Sequence, residues 1–133
     1  ALEVAKYNNG KNNTNVRFIE SNLFENIQEQ KFNIIVSNPP YIRSNVINNL
    51  PKQVQNEPHL ALDGGEDGLK FYKKIIEQSC NYIENGYLIL EIGYDQKEDV
   101  ENLLKENKNY SEIKTIQDFS GNDRCTIAKV GKI

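Results

Sequence analysis

The chain has 133 residues, of which 38% are hydrophobic and 26% charged, with a formal net charge of −3 at pH 7. This length accommodates one domain with a real core, and it is short for a complete doubly wound enzyme. The negative charge and the scattered Lys and Arg residues argue against a direct nucleic-acid partner. The sequence shows neither a signal peptide nor an apolar run that could span a bilayer, and this predicts a cytoplasmic protein without membrane contact.

Helix and strand patterns alternate along the first part of the chain. They predict the end of an amphipathic helix over 1–7, a polar loop over 8–15, a strand over 16–20 and a helical or turn segment over 23–28. The run over 32–36 is short, apolar and rich in β-branched residues, which is typical of an interior strand of a parallel sheet.

The second part begins with a long polar stretch over 42–67, and such loops are usually functional or mobile. The patterns then predict a helix over 69–84 ended by Asn85-Gly86, a strand over 87–92, a helix capped by Asp95, and strands over 113–118 and 125–130. We expect the Asp95-capped helix to bury Val100, Leu103 and Leu104. The last two strands predict an antiparallel hairpin, so the sequence indicates a mostly parallel α/β sheet with a terminal hairpin.

The two cysteines, Cys80 and Cys125, are far apart in sequence and lack metal-ligand spacing. Cys80 falls on the apolar side of a predicted helix and Cys125 inside a predicted strand. We therefore expect both to be reduced core residues, with no metal site.

The segment Ser37-Asn38-Pro39-Pro40-Tyr41 directly follows the predicted strand over 32–36, and we call residues 37–41 the NPPY segment. The two prolines donate no backbone N–H and fix φ, and Pro39 holds Asn38 in an extended conformation. The segment therefore offers a side-chain amide, a free carbonyl and an aromatic ring where open α/β sheets bind ligands. These groups suit a flat NH2-bearing group better than acid–base or metal chemistry.

With its long following loop, helix, strand and final hairpin, the NPPY segment resembles that of the Rossmann-like methyltransferases that use S-adenosylmethionine (AdoMet) on planar nitrogens. Glu57-Pro58 and Ala-Leu-Asp-Gly-Gly-Glu-Asp-Gly-Leu at 61–69 are similar to the signature loop of glutamine N5-methyltransferases. Leu-Glu-Ile-Gly-Tyr-Asp-Gln at 90–96 and Asp-Phe-Ser-Gly-Asn-Asp-Arg at 118–124 are similar to the HemK/PrmC branch, which methylates peptide chain release factors. A sister branch that acts on a large-subunit ribosomal protein shares the first loop.

The resemblance implies roles for particular residues. The Asn38 side-chain oxygen and the Pro39 carbonyl would accept the two N–H bonds of the substrate amide, and Tyr41 would pack against it, with Pro40 completing the catalytic segment. AdoMet would bring the activated methyl group. Asn22 and Leu23 would meet its adenine, and Asn38 would border it as well.

Several of these residues have plainer alternatives. An isolated Asn38 is as well explained as a turn residue in an Asn-rich chain. Asn22 stands where the family usually has an acidic residue, although its amide oxygen can still accept a hydrogen bond. Leu23 fits an adenine contact and a core position equally.

Four further residues outside the NPPY segment carry expectations of their own. Glu91 either faces the site or is a structural carboxylate held by backbone amides, with the second favoured. His59 is expected to be solvated, and Asp123 and Arg124 to form a local ion pair.

No Gly-x-Gly-x-Gly run occurs in the chain. In the family that this sequence resembles, the glycine-rich run lies before the helix that begins here at Ala1. We therefore expect a catalytic domain that is truncated at its N-terminus and lacks the family's N-terminal helical domain. Such a chain would expose strand edges, through which it could form a homodimer, and on its own it would be inactive. Two alternatives remain open: a nucleic-acid exocyclic-amine methyltransferase and a non-enzymatic binding module.

Overall fold

A computed structural model describes residues 1–131, which form two compact units, one over Ala1–Gln30 and one that begins at Lys31. In the first unit, α1 spans Leu2–Lys11, so the helix continues into the predicted polar loop. None of its residues is buried, and Val4 and Tyr7 are 62% and 66% exposed.

The predicted strand over 16–20 does not form, because a strand exists only in a ladder and no described segment pairs with these residues. Residues 23–26 form a turn, inside the segment predicted as helical or turn structure.

The second unit is built on a four-stranded sheet in the order β1-β2-β4-β3. Its strands are β1 (Phe32–Ser37), β2 (Ile83–Glu91), β3 (Tyr110–Gln117) and β4 (Asp123–Val130). β1 and β2 pair in parallel, whereas β4 pairs antiparallel with both β2 and β3. The terminal antiparallel hairpin is confirmed, and because it supplies half of the strands the sheet is mixed rather than mostly parallel.

The helical segments of the second unit are a 3₁₀ helix (Ser44–Asn49), α2 (Lys52–Gln55), α3 (His59–Leu62), α4 (Lys70–Ser79) and α5 (Lys97–Glu106). The first three lie within the stretch predicted as one long loop. The expectation that Asn85-Gly86 ends α4 is wrong, since both residues lie inside β2. A Cβ at Gly86 would lie 1.9 Å from the Asn33 carbonyl oxygen, so glycine allows β1 and β2 to approach there.

The core lies on one face of the sheet. Leu88 pairs with Ala128 and Leu90 with Thr126, and all four are fully buried. Helix α5 packs against β3 and β4 and contacts α4. The helices contribute Tyr72, Ile75, Ile76, Val100 and Leu104 to the buried set. Leu103, predicted to be buried, is only partly so.

β1 occupies an edge of the sheet rather than the predicted interior position, and within residues 1–131 no strand pairs with its outer side. Its residues Ile34 and Val36 are 54% and 70% exposed. No helix within residues 1–131 is long and apolar enough to cross a membrane.

Candidate functional site

The NPPY segment leaves the sheet at the carboxyl end of β1. The parallel register pairs Ser37 with Leu90, which places Asn38 beside the last residue of β2, Glu91. Asn38 is exposed and its side-chain amide has no hydrogen-bond partner among residues 1–131, whereas Pro39 is buried. An uncommitted amide on a rigid backbone is therefore available to a ligand.

The loop over 62–68 is hydrogen-bonded to Ile42, the residue that follows the NPPY segment. The Ile42 N–H donates to the Leu62 carbonyl over 3.0 Å, and the Gly64 N–H donates to the Ile42 carbonyl over 2.8 Å. A Cβ at Gly64 would lie 2.7 Å from the Tyr41 Cα, so only glycine permits this approach.

Asp63 fixes the same loop. Its Oδ1 accepts from the Ser44 hydroxyl at 2.6 Å and from the Gly65 N–H at 2.9 Å. These hydrogen bonds, the Ser44 bond first, lower the pKa of the Asp63 carboxyl. Hydrogen bonds of an acidic side chain to its own turn therefore fix the shape of this loop.

Tyr41 and Glu91 connect the NPPY segment to β2. The Tyr41 hydroxyl donates to Glu91 Oε1 over 3.2 Å. Burial, followed by the negative charge of Glu91, raises the pKa of Tyr41. Glu91 thus faces the NPPY segment, and its partner is this hydroxyl rather than the backbone amides that the structural alternative required.

The turn between β3 and β4 is fixed by Asp118. Asp118 Oδ1 accepts from the Ser120 and Asn122 N–H groups at 2.9 and 3.0 Å, and Oδ2 accepts from Arg124 Nε at 3.2 Å. The Asn122 bond is the main cause of a lowered pKa at Asp118. The predicted Asp123–Arg124 ion pair is therefore wrong, because Asp118 lies closer to the guanidinium across the turn.

Two further expectations need correction. Asp95 does not cap α5. Its carboxylate pairs with Arg43 at 2.8 Å, and Gln96 occupies the cap position. The cysteines are free but only partly buried, with Cys80 at the end of α4 and Cys125 in β4. His59 begins α3 and is exposed, in line with the solvated alternative.

The residue that sequence reasoning missed is Gln96, which is 1% exposed. Its Nε2 donates to the Tyr41 and Gly68 carbonyls at 3.1 and 3.2 Å, and its Oε1 accepts from the Gly93 N–H at 2.9 Å. The available signal was a glutamine at the end of the 90–96 motif, three residues after a glycine. A buried polar residue of this kind joins segments that are distant in sequence.

Asn22 and Leu23 lie in the first unit. Asn22 Nδ2 donates to Glu25 Oε1 over 2.8 Å, and Oδ1 has no hydrogen-bond partner among the described residues. Leu23 has a φ of 52°, in the left-handed region that non-glycine residues other than Asn and Asp rarely adopt. A free amide oxygen and an apolar side chain are chemically suited to the amine and ring of adenine.

The comparisons with known proteins agree with this description. The family model "Methyltransferase small domain" matches residues 1–66. A release factor glutamine methyltransferase of Fusobacterium nucleatum is 46% identical over 118 residues, covering 86% of this chain and 33% of the relative. Another, of Agrobacterium fabrum, is 43% identical over 128 residues, covering 93% of this chain and 44% of the relative.

Among solved structures, a methyltransferase from Pyrococcus furiosus matches with a TM-score of 0.69 at 23% identity, covering 98% of this chain and 57% of that one. The family model and the curated relatives place this chain among the methyltransferases, and its fold is shared with the solved one. More narrowly, the chain belongs to the HemK/PrmC family, and it spans less than half the length of the two curated relatives described here.

Proposed function

We propose that the protein containing this chain transfers a methyl group from AdoMet to the side-chain nitrogen, N5, of a glutamine in a peptide chain release factor. The observation that carries the proposal is the identity of 43% over 93% of the chain to a release factor glutamine methyltransferase. That extent includes the NPPY segment and the loop over 62–68.

The chemistry available at the NPPY segment supports this reaction. A carboxamide nitrogen is a poor nucleophile because its lone pair is delocalised, so the protein must orient it and stabilise the charge that develops on it. The Asn38 side-chain oxygen and the Pro39 carbonyl are the acceptors proposed for the two N–H bonds. Tyr41 is partly buried, and its hydroxyl donates to Glu91. Its ring would lie against the substrate amide and exclude water.

Asn22, Leu23 and Asn38 are the residues of this chain proposed to hold the cofactor. AdoMet supplies an electrophilic methyl group, so the protein needs no nucleophile of its own. Asn22 would accept from the adenine amine through its free Oδ1, and Leu23 would cover the ring. The carbon–sulfur bond of the cofactor would break as the nitrogen–carbon bond forms, which leaves S-adenosylhomocysteine, and the methylated nitrogen would then lose its proton to water.

A second candidate substrate is ribosomal protein uL3. A uL3 glutamine methyltransferase of Francisella tularensis is 46% identical over 99 residues, covering 72% of this chain. Both candidates present a glutamine side chain, so the proposed site chemistry is the same and only the protein substrate differs.

The test uses protein expressed from the complete reading frame and AdoMet with a labelled methyl group. Purified release factor, uL3 and duplex DNA are supplied separately, and mass spectrometry locates the label. We expect a methyl group on one glutamine of the release factor, and none when that glutamine is replaced by alanine. Label on uL3 alone would favour the second candidate, and label on DNA alone would contradict glutamine chemistry.

A further inference from the structure

Gln96 uses both of its N–H donors and its carbonyl oxygen inside the protein. A primary amide has two N–H donors and a carbonyl oxygen with two lone pairs. Both donors of Gln96 are taken, by the Tyr41 and Gly68 carbonyls. The oxygen accepts from the Gly93 N–H, and the Tyr72 hydroxyl lies 3.5 Å from it. Few other side chains of this size could satisfy both carbonyls and the N–H group together.

The surroundings of the amide are shaped to admit it. A Cβ at Gly68 would lie 2.7 Å from Gln96 Nε2, and a Cβ at Gly93 would lie 2.8 Å from Gln96 Oε1. Gly68 also has a φ of 74°. The two glycines therefore leave the space in which the side chain joins the loop over 62–68, the end of the NPPY segment and the turn after β2.

The hydrogen bond from Gln96 to the Tyr41 carbonyl acts on a backbone segment that is rigid between Tyr41 and the proposed acceptor Asn38. Only Pro39 and Pro40 separate Tyr41 from Asn38, and both have a φ fixed by their rings. Anchoring the carbonyl at one end of the NPPY segment therefore restricts the orientation of the amide at the other end.

We propose that Gln96 is a positioning residue, which sets the orientation of Asn38 and Pro39 toward the substrate amide by holding the Tyr41 carbonyl. This inference rests on the proposed function. Gln96 need not touch substrate or cofactor, so its effect should fall on the rate of the chemical step more than on binding.

The test compares Gln96→Glu with wild type, both expressed from the complete reading frame. The introduced carboxylate is nearly isosteric and keeps the acceptor for the Gly93 N–H, but when ionised it donates to neither carbonyl. The matched control is Gln78→Glu, at a partly buried glutamine on α4. Circular dichroism and thermal unfolding identify conditions in which all three proteins are folded.

We expect kcat for glutamine methylation to fall about 10- to 100-fold in Gln96→Glu, the scale of a misplacement near 1 Å. We expect KM for the release factor and Kd for AdoMet to change by less than about threefold, since binding groups remain. Hydrogen exchange over residues 41–44 and 64–68 should accelerate in Gln96→Glu, and Gln78→Glu should match wild type in every measurement.

An unchanged kcat in folded Gln96→Glu would overturn the inference, as would a loss explained wholly by weaker AdoMet binding. Unchanged hydrogen exchange over the same residues would overturn it whichever reaction the wild type performs. If exchange accelerates but the wild type never methylates glutamine, the proposed function fails, and the reaction-specific role of Gln96 fails with it.

Discussion

The Tyr41 hydroxyl donates to the Glu91 carboxylate over 3.2 Å, and this hydrogen bond joins two residues that are 50 positions apart in sequence. It links the end of the NPPY segment to the last residue of β2. The side chain that would lie against a substrate amide is thus held by the strand next to it.

A double-mutant cycle measures this link. We expect Tyr41→Phe to keep the ring and reduce kcat/KM by about tenfold or less, the scale of one hydrogen bond. Glu91→Gln should have a similar effect, and the double variant should lose little more than either single variant. Fully additive losses would show that the two residues act independently.

Asn38→Ala should abolish most methyl transfer without unfolding the protein. The Asn38 side chain is exposed and has no partner among residues 1–131, so its removal leaves no buried polar group behind. We expect kcat to fall by about 100- to 1000-fold, the cost of removing one preorganised polar group at a reacting centre. The measurement is single-turnover methylation, with Asn33→Ala, an exposed Asn within β1, as the control. Near wild-type turnover in Asn38→Ala would refute the assignment of this residue.

Leu23→Gly separates the stability of the first unit from its proposed contact with adenine. A φ of 52° costs a leucine roughly 1–2 kcal/mol, which glycine avoids while losing some chain entropy. We expect the free energy of unfolding to stay within about 1 kcal/mol of wild type. Isothermal calorimetry should show Kd for AdoMet rising about tenfold, the loss of part of a leucine contact.

Asn13→Gly is the matched control, because Asn13 has a φ of 51° and no proposed cofactor contact. Its Kd for AdoMet should equal that of wild type. An unchanged Kd in Leu23→Gly would favour the alternative that Leu23 is only a packing residue.

Local signals in the sequence were sufficient for part of the fold and the site. Two consecutive prolines after a β-branched run located the NPPY segment, since neither can continue a ladder. The terminal hairpin and most of α4 followed from periodicity and turn residues. Each of these features depends on residues close together in the chain.

Features that depend on distant partners were missed or misassigned. The residues over 16–20 have a strand-like composition but no described strand to pair with. Asp95 resembles a helix cap locally, yet Arg43, 52 residues earlier, binds its carboxylate. Gln96 has partners on three segments, and no periodic pattern reports such a connection.

A substitution at Gly86 measures how much stability depends on the close approach of β1 and β2. A Cβ added at Gly86 would lie 1.9 Å from the Asn33 carbonyl oxygen, so the backbone of one of the two strands would have to shift. We expect Gly86→Ala to lower the free energy of unfolding by about 1–3 kcal/mol, the usual range for overpacking. Gly10→Ala in α1 is the control, because nothing lies within 4 Å of its added Cβ. Equal urea midpoints for the two variants would contradict the close approach.

Asp118 should make the hairpin turn sensitive to acid. Its pKa is lowered below the ordinary value of 3.8, chiefly by the Asn122 N–H, so the folded state favours the ionised form. Its contribution to stability is therefore present above pH 3.8 and is lost as pH falls through the lowered pKa. Asp118→Asn should be less stable than wild type at pH 7, and the difference should shrink below about pH 4.

Urea unfolding between pH 2 and pH 7 gives this comparison. Glu66→Gln is the control, because Glu66 is exposed and makes no hydrogen bond among residues 1–131. Its stability should follow that of wild type across the range. An asparagine oxygen can still accept from the Ser120 and Asn122 N–H groups, so this variant removes the charge of Asp118 and keeps both acceptors. If the difference in unfolding free energy between Asp118→Asn and wild type does not change with pH, the charge of Asp118 does not stabilise the turn.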